Sequence, residues 1–303
     1  MRIQILFLAI LFLFSGMPIY AQKINEDQLL EDLKYLSSDE LEGRKPLSEG
    51  SLKAADFIKD RFSSLKLYSQ FNEYTQYFTF ENKREQKVYE NASNIVGFIP
   101  GKSSTKMIVI TAHYDHLGKK DDLIFNGADD NASGTAALLA FASYFSKNRP
   151  NHSIMIVALD GEEMGHQGAK ALVNDFPFDL GEVKLNINMD MISRSDKNEL
   201  YASGTYHYPF LKPSLESASR GKKIKLVLGH DVPGTGSDDW TLASDHAQFH
   251  LKNIPFIYFG VEDHEDYHRP TDTFENIHPE FYVNAVQLIL QAIVKLDKDL
   301  LEK

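Results

Sequence analysis

The chain contains no cysteine, so no disulfide, thiolate-bound metal or thioether-linked lipid can stabilise or anchor it. Basic residues are also scarce: 32 Lys and Arg stand against 43 Asp and Glu, a formal charge of −11 with a pI near 5.5. Nucleic-acid binding draws on clustered Lys and Arg to neutralise phosphates, and this balance argues against it. The apolar run at residues 3–14 falls short of the ~20 residues that a membrane-spanning helix needs. Internal repeats and low-complexity linkers are absent as well.

What remains is a chain of 303 residues, 43% of them hydrophobic, enough to bury a substantial core. Arg2 precedes the apolar run, Gly16 and Pro18 break it, and Ile19-Tyr20-Ala21 offers a small-residue cleavage site. Residues 1–21 are therefore expected to be a signal peptide cleaved after Ala21, with an amino-terminal membrane anchor as the alternative. The mature protein is then exported, periplasmic or secreted, without stable membrane insertion.

Leu29, Leu30, Leu33 and Leu36 recur at helical spacing, and Ala54, Phe57, Ile58, Phe62 and Leu65 repeat the pattern. The polar segment Ser38-Asp39-Glu40-Leu41-Glu42-Gly43-Arg44 between them reads as a connecting loop or a substrate-contacting rim, with no chemistry assigned. Residues 68–89 are rich in Phe, Tyr and Thr and are interrupted by Glu81-Asn82-Lys83-Arg84-Glu85, predicting two strands and a polar turn at a sheet edge. Tyr74, Tyr77, Phe78 and Phe80 read as core rather than as a sugar-binding stripe. Beyond Pro150, strands alternate with helices up to a final amphipathic helix carrying Val283, Ala285, Leu288, Ile289, Ala292 and Ile293. These patterns predict one α/β domain: a mixed, largely parallel central sheet flanked by helices on both faces.

Potential metal ligands stand where the strands end. The runs Met107-Ile108-Val109-Ile110, Ile154-Met155-Ile156-Val157-Ala158-Leu159 and Leu185-Asn186-Ile187-Asn188-Met189 are followed by His113-Tyr114-Asp115, Asp160-Gly161-Glu162-Glu163 and Asp190. In an open α/β sheet, ligands collect beyond the carboxyl ends of the strands. Gly127-Ala128-Asp129-Asp130-Asn131-Ala132-Ser133-Gly134 leads into a helix, and Tyr267-His268 supplies a late imidazole. Zinc accepts imidazole nitrogen and carboxylate oxygen, and two metals ~3.5–4 Å apart can share one carboxylate. Asp115 falls two residues after His113, on the same face if the strand continues, and is expected to orient the imidazole. Of Glu162 and Glu163, one can ligate a metal while its neighbour accepts a proton from activated water, or the pair can simply open a helix. Asp130 is favoured as the bridge and Asp129 as its local support, although both can also cap a helix.

Ala112-His113-Tyr114-Asp115, residues 127–134, residues 160–165, Asn188-Met189-Asp190-Met191 and Tyr267-His268 together resemble the di-zinc aminopeptidases. That zinc exopeptidase family also includes glutamate carboxypeptidase, the transferrin-receptor ectodomain and glutaminyl cyclase. The resemblance spans residues 94–277 and implies a catalytic domain over residues 94–303, with residues 22–93 supplying helices and edge strands packed on it. It implies two Zn2+, one held by His113, Asp130 and Asp190, with Asp130 shared with a second held by Glu163 and His268. Glu162 corresponds to the general base, and Tyr267 to a hydroxyl beside the tetrahedral oxyanion.

The segment before Asn94 resembles that of compact exported bacterial members, and Ser244-Asp245-His246 with Phe249 resembles the rim of their specificity pocket. His116, His166, His230, His246, His250 and His264 are expected at the surface or in hydrogen bonds rather than on metal. The implied activity is removal of N-terminal residues from peptides. A cyclase-like acyltransferase using one zinc, or a non-catalytic binding protein of the same fold, are the alternatives. Retention of the whole ligand set and of Glu162 favours the peptidase.

Overall fold

Apolar runs suit strands covered on both faces, and Met107-Ile108-Val109-Ile110 and Ile154-Met155-Ile156-Val157-Ala158-Leu159 lie in two neighbouring strands at the centre of the sheet. The computed structural model describes residues 23–102 and 106–302, so the expected signal peptide lies outside the described residues. Helices α1 (Glu26–Leu36) and α2 (Glu49–Ser64) come first, each started by a side-chain cap, from Asn25 and Ser48 respectively. A hairpin of β1 (Thr75–Asn82) and β2 (Lys87–Ile99) follows. Next come β3 (Met107–His113), a small ribbon of β4 (Gly118–Lys120) and β5 (Leu123–Phe125), and α3 (Gly134–Lys147). Beyond these lie β6 (Ser153–Leu159), α4 (Gln167–Asn174), β7 (Val183–Met189), β8 (Glu199–Ser203) and α5 (Lys212–Ser219). The chain closes with β9 (Lys225–Leu228), α6 (His246–His250), β10 (Phe256–Gly260) and α7 (Pro279–Asp299).

The eight-stranded sheet has the order β1-β2-β6-β3-β7-β10-β8-β9. Its central block β6-β3-β7-β10 is parallel, while β2 and β8 join it antiparallel, giving the mixed, largely parallel sheet expected. The β1–β2 hairpin lies at the predicted edge, so residues preceding Asn94 enter the same sheet as the rest. Helices α1, α2, α3, α5 and α7 cover one face through residues such as Leu33, Phe62, Leu139 and Ile293, and Leu172 of α4 and Phe249 of α6 pack on the other. Phe80 is buried and stacks on Tyr89 with centroids 4.9 Å apart, but Tyr77 is 65% exposed. Successive side chains alternate faces, and an edge strand leaves one of them in water, so the core reading fails for Tyr77. Among the described residues, no helix is long and apolar enough to cross a membrane.

Register is what positions the site. Pairing of His113 with Leu159, Thr111 with Asn188 and Phe259 with Met189 sets the carboxyl ends of the four parallel strands side by side. A polar line runs through this otherwise apolar block: Asn186 Nδ2 donates to Thr111 Oγ1 (3.1 Å), Thr111 Oγ1 to Asn188 Oδ1 (2.7 Å), and Asn188 Nδ2 to Ser244 Oγ (3.0 Å). It ends on Asp190, whose Oδ2 accepts from Ser244 Oγ at 2.7 Å.

Candidate metal centre

His113 ends β3, Asp190 directly follows β7, and Glu162 and Glu163 sit on the turn after β6. A widened turn over Ala128–Ser133 brings Asp130 between them, and the loop after β10 supplies His268. Gly127 enters the turn with φ +55°, where a Cβ would lie 2.0 Å from the Asp130 carbonyl oxygen and 2.6 Å from the His116 ring, so a side chain is excluded there. Asn131 ties the turn to β7 by donating from Nδ2 to the Met189 carbonyl at 2.9 Å. Asp272 fixes its other side, accepting from the backbone N–H groups of Asp129 (2.9 Å) and Asp130 (3.0 Å). Asp129 accepts from Ser193 Oγ at 2.8 Å and lies 3.0 Å from His264 Nε2.

The five proposed ligands converge as two nests. His113 Nε2 lies 3.2 Å from Asp190 Oδ1 and 3.4 Å from Asp130 Oδ1. His268 Nε2 lies 3.1 Å from Asp130 Oδ2 and 3.4 Å from Glu163 Oε2. Donors ~2.0–2.2 Å from a tetrahedral zinc are ~3.3–3.6 Å from one another, so these separations suit a cation at the centre of each nest. The two oxygens of Asp130 face different imidazoles, which is what a bridging carboxylate requires. All donors are nitrogen or oxygen, the ligand types that zinc takes when no thiolate is offered.

Glu162 stands apart from both groups of converging donors, with Oε1 3.2 Å from His166 Nε2. Burial drives its carboxyl well above the ordinary range, helped by the charges of Asp190, Glu163 and Asp115 and opposed by His113. Burial acts the same way on Asp130, but His116, His113 and His268 overcome it and hold that carboxylate well below its usual range. On His268 burial works against protonation, yet hydrogen bonds to Asp130 and Glu163 lift it to about 10. Tyr267 lines the same cavity and stacks on His268 with centroids 3.9 Å apart; its hydroxyl is pushed up by burial and by Asp130 and Asp190, and stays protonated.

The residues around the ligands meet expectation only in part. The Asp115 carboxylate is 3.6 Å from His113 Nδ1, which lies closer, at 3.1 Å, to the Asp115 main-chain carbonyl. β3 ends at His113, and just past it the Asp115 carboxylate both lies beside that imidazole and accepts from the N–H groups of Glu162 (3.0 Å) and Glu163 (3.4 Å). Ser244, Asp245, His246 and Phe249 do not form a rim: all four are buried beneath the site, where Ser244 holds Asp190.

His116 is not a surface histidine. It is 1% exposed, with Nδ1 2.7 Å from Glu163 Oε1 and 3.8 Å from Asp130 Oδ2, and it forms a convergent donor group with those two residues beside the group of His113, Asp130 and Asp190. Its position three residues after His113 was the only sign in the sequence. Arg44, expected in a connecting loop or a substrate-contacting rim, is instead fully buried and donates to the carbonyls of Leu36, Tyr114 (2.7 Å), Asn126 (2.6 Å) and Gly127 (3.0 Å).

An aspartate set between two imidazole–carboxylate nests, at the carboxyl ends of parallel strands, is an arrangement that can hold metal. Residues 94–293 match peptidase family M28, and the chain belongs to that family. It is 28% identical over 227 residues to aminopeptidase YwaD of Bacillus subtilis (strain 168), which covers 69% of this chain and 46% of YwaD. It is 27% identical over 225 residues to the BOS complex subunit NCLN of Canis lupus familiaris, covering 67% and 39% respectively. The chain thus spans less than half the length of either relative. Among solved structures, BSAP, a zinc aminopeptidase from Bacillus subtilis, superposes with a TM-score of 0.71 at 18% identity, covering 90% of this chain and 95% of BSAP. The Bacteroides thetaiotaomicron glutaminyl cyclase bound to N-acetylhistamine also gives 0.71, at 17% identity, covering 90% and 98%. At these identities the structural likeness establishes the fold alone, and family and relatives support a metallopeptidase.

Proposed function

We propose that the protein is an exported aminopeptidase that binds two zinc ions and removes N-terminal residues from peptides. The observation that carries this reading is Asp130, with one oxygen 3.4 Å from His113 and the other 3.1 Å from His268. In this reading His113, Asp130 and Asp190 hold one zinc, and Asp130, Glu163 and His268 the other. Zinc, when bound, supplies Lewis acidity that lowers the pKa of a coordinated water and polarises a carbonyl. Glu162, outside both nests, takes up the proton of the attacking water and delivers it to the leaving amine. Tyr267 offers its protonated hydroxyl to the developing oxyanion.

Exopeptidase action is supported by the cavity over the nests, which has only 120 Å³ and is backed by Met191, Trp240, Ala243, Tyr258 and Val261. That volume accommodates one side chain, and Asp263 in its wall offers a carboxylate to an α-ammonium group. The likeness to a glutaminyl cyclase supports a competing one-zinc reading, against which the second nest stands intact. Release of pyroglutamyl product without hydrolysis is the assay for that competitor.

Glu162→Gln separates binding from turnover. Its kcat is expected to fall ~10²–10⁴-fold, the typical contribution of general acid–base catalysis, with zinc content unchanged. Glu163→Gln and His268→Ala are expected to lose zinc as well as activity. Metal analysis beside aminoacyl-anilide and N-blocked peptide assays decides the matter: wild-type rates in Glu162→Gln would refute the base assignment, and cleavage of N-blocked peptides would refute the aminopeptidase assignment.

A further inference from the structure

Two cavities meet at Glu162 and Glu163. One is the 120 Å³ space over the nests; the other is a 510 Å³ groove that shares both glutamates with it. Glu162, Glu163, Met164 and Gln167 form one wall of the groove, and the tip of the β1–β2 hairpin, including Lys83 and Arg84, forms the other. Its size falls within the ~300–1,000 Å³ typical of small-ligand sites, enough for a short extended segment at roughly 3.3–3.6 Å per residue.

The hairpin tip is built rather than loose. Asn82 Oδ1 accepts from the N–H groups of Arg84 (3.0 Å) and Glu85 (3.2 Å), while Glu85 is held by Lys45 at 2.8 Å and by the Tyr89 hydroxyl. Lys87 lies over the Tyr89 ring at 4.3 Å. Every cation around the tip is thereby engaged except Lys83 and Arg84, which are exposed and form no ion pair among the described residues. Glu81 also lines the groove, so its hairpin side carries a net single positive charge. In a chain of net charge −11, two unengaged cations facing a cluster of buried carboxylates make an electrostatic step across the site.

We infer that this groove is a carboxylate-binding subsite for the leaving-group side of the substrate. Resting on the aminopeptidase reading above, the inference places the scissile bond at Glu162, the N-terminal side chain in the small cavity, and a carboxylate downstream of the cleaved bond on Lys83 and Arg84. The carboxylate is either the C-terminus of a short peptide or an acidic side chain within a longer one.

The test uses the zinc-loaded full chain and leucyl peptides extended by one, two or three glycines, each as free acid and as amide. A leucyl-glycyl-glutamate amide carries the charge on a side chain instead. Affinities are measured by calorimetry on Glu162→Gln protein, where no turnover is needed, and kcat/KM is measured on wild type. For at least one length, the acid is expected to bind roughly three- to tenfold better than its amide, the scale of exposed but paired charges. Lys83→Ala/Arg84→Ala is expected to erase this ratio and Lys83→Glu/Arg84→Glu to invert it. A gain confined to terminal acids assigns short peptides, and a gain with the glutamate side chain assigns acidic sequences. Equal affinities at every length, no measurable binding of any acid, or a ratio that survives in the double variants overturns the subsite. Turnover without an acid preference leaves the peptidase reading standing alone; an acid preference without turnover leaves only the subsite.

Discussion

His116 shows how a residue with no special claim in the sequence becomes part of the chemistry. Its imidazole is buried against Glu163 and Asp130, and its Nε2 has no hydrogen-bond partner among the described residues. Through Nδ1 it either orients the Glu163 carboxylate or joins it on the metal, and in both cases it supports the nest shared with His268. His116→Ala is expected to weaken that nest's zinc affinity by ~10–100-fold, the usual cost of losing a group that orients a ligand. Competition with a chromogenic chelator should then show one of two zinc ions weakened and the other unchanged. Loss of both together, or of neither, would remove His116 from this role.

At the scale of elements, the turn between α1 and α2 acts as a bracket for the site. Arg44 sends its guanidinium to carbonyls at the end of α1, just after β3 and just before the Asp130 turn. Burial lowers its pKa to about 10 against the opposing charges of Asp130, Asp272, Asp115 and Glu163, so it remains a cation at neutral pH and offsets part of their charge. Arg44→Met would take the side-chain donor from the carbonyls of Leu36, Tyr114 and Asn126, whereas Gly127 keeps the N–H of Ala132. Removing one partner from a buried charged network costs about 3–5 kcal/mol, and urea unfolding should show a loss of that order. Arg44→Lys, which cannot reproduce the planar fork, should recover only part of it. Wild-type stability in Arg44→Met would refute the bracket.

For the molecule as a whole, the metal nests are also a stability element. Asp130, Glu162, Glu163 and Asp190 line one small cavity; His113, His116 and His268 offset part of their charge, and bound cations would offset more. A ligand that binds only the folded state at about 1,000 times its Kd adds ~4 kcal/mol, or roughly 10 °C in Tm for a chain of this size. Chelation is therefore expected to lower Tm by about that amount and zinc to restore it; an unchanged Tm would disconnect metal from fold.

The sequence by itself determined the sheet class and the edge hairpin and set His113, Glu162, Glu163 and Asp190 at strand ends, while Asp130 and His268 entered the ligand set through the family resemblance. Apolar runs read as strands without knowledge of their neighbours, and parallel strands present their carboxyl ends together, so a polar residue closing each run is already placed near the others. Only the tertiary structure decided the rest. Asp115 lies beside His113 and also accepts from the backbone of Glu162, a second tie that nothing in the strand pattern announces. Arg44, Ser244, Asp272 and the Lys83–Arg84 tip come to the site from outside any strand-end pattern. Arg44 meets Gly127 across 83 positions, Asp272 meets Asp129 across 143, and Ser244 meets Asp190 across 54. An isolated polar residue in a turn has no periodicity to report its burial, and its partner exists only once the chain has closed on itself.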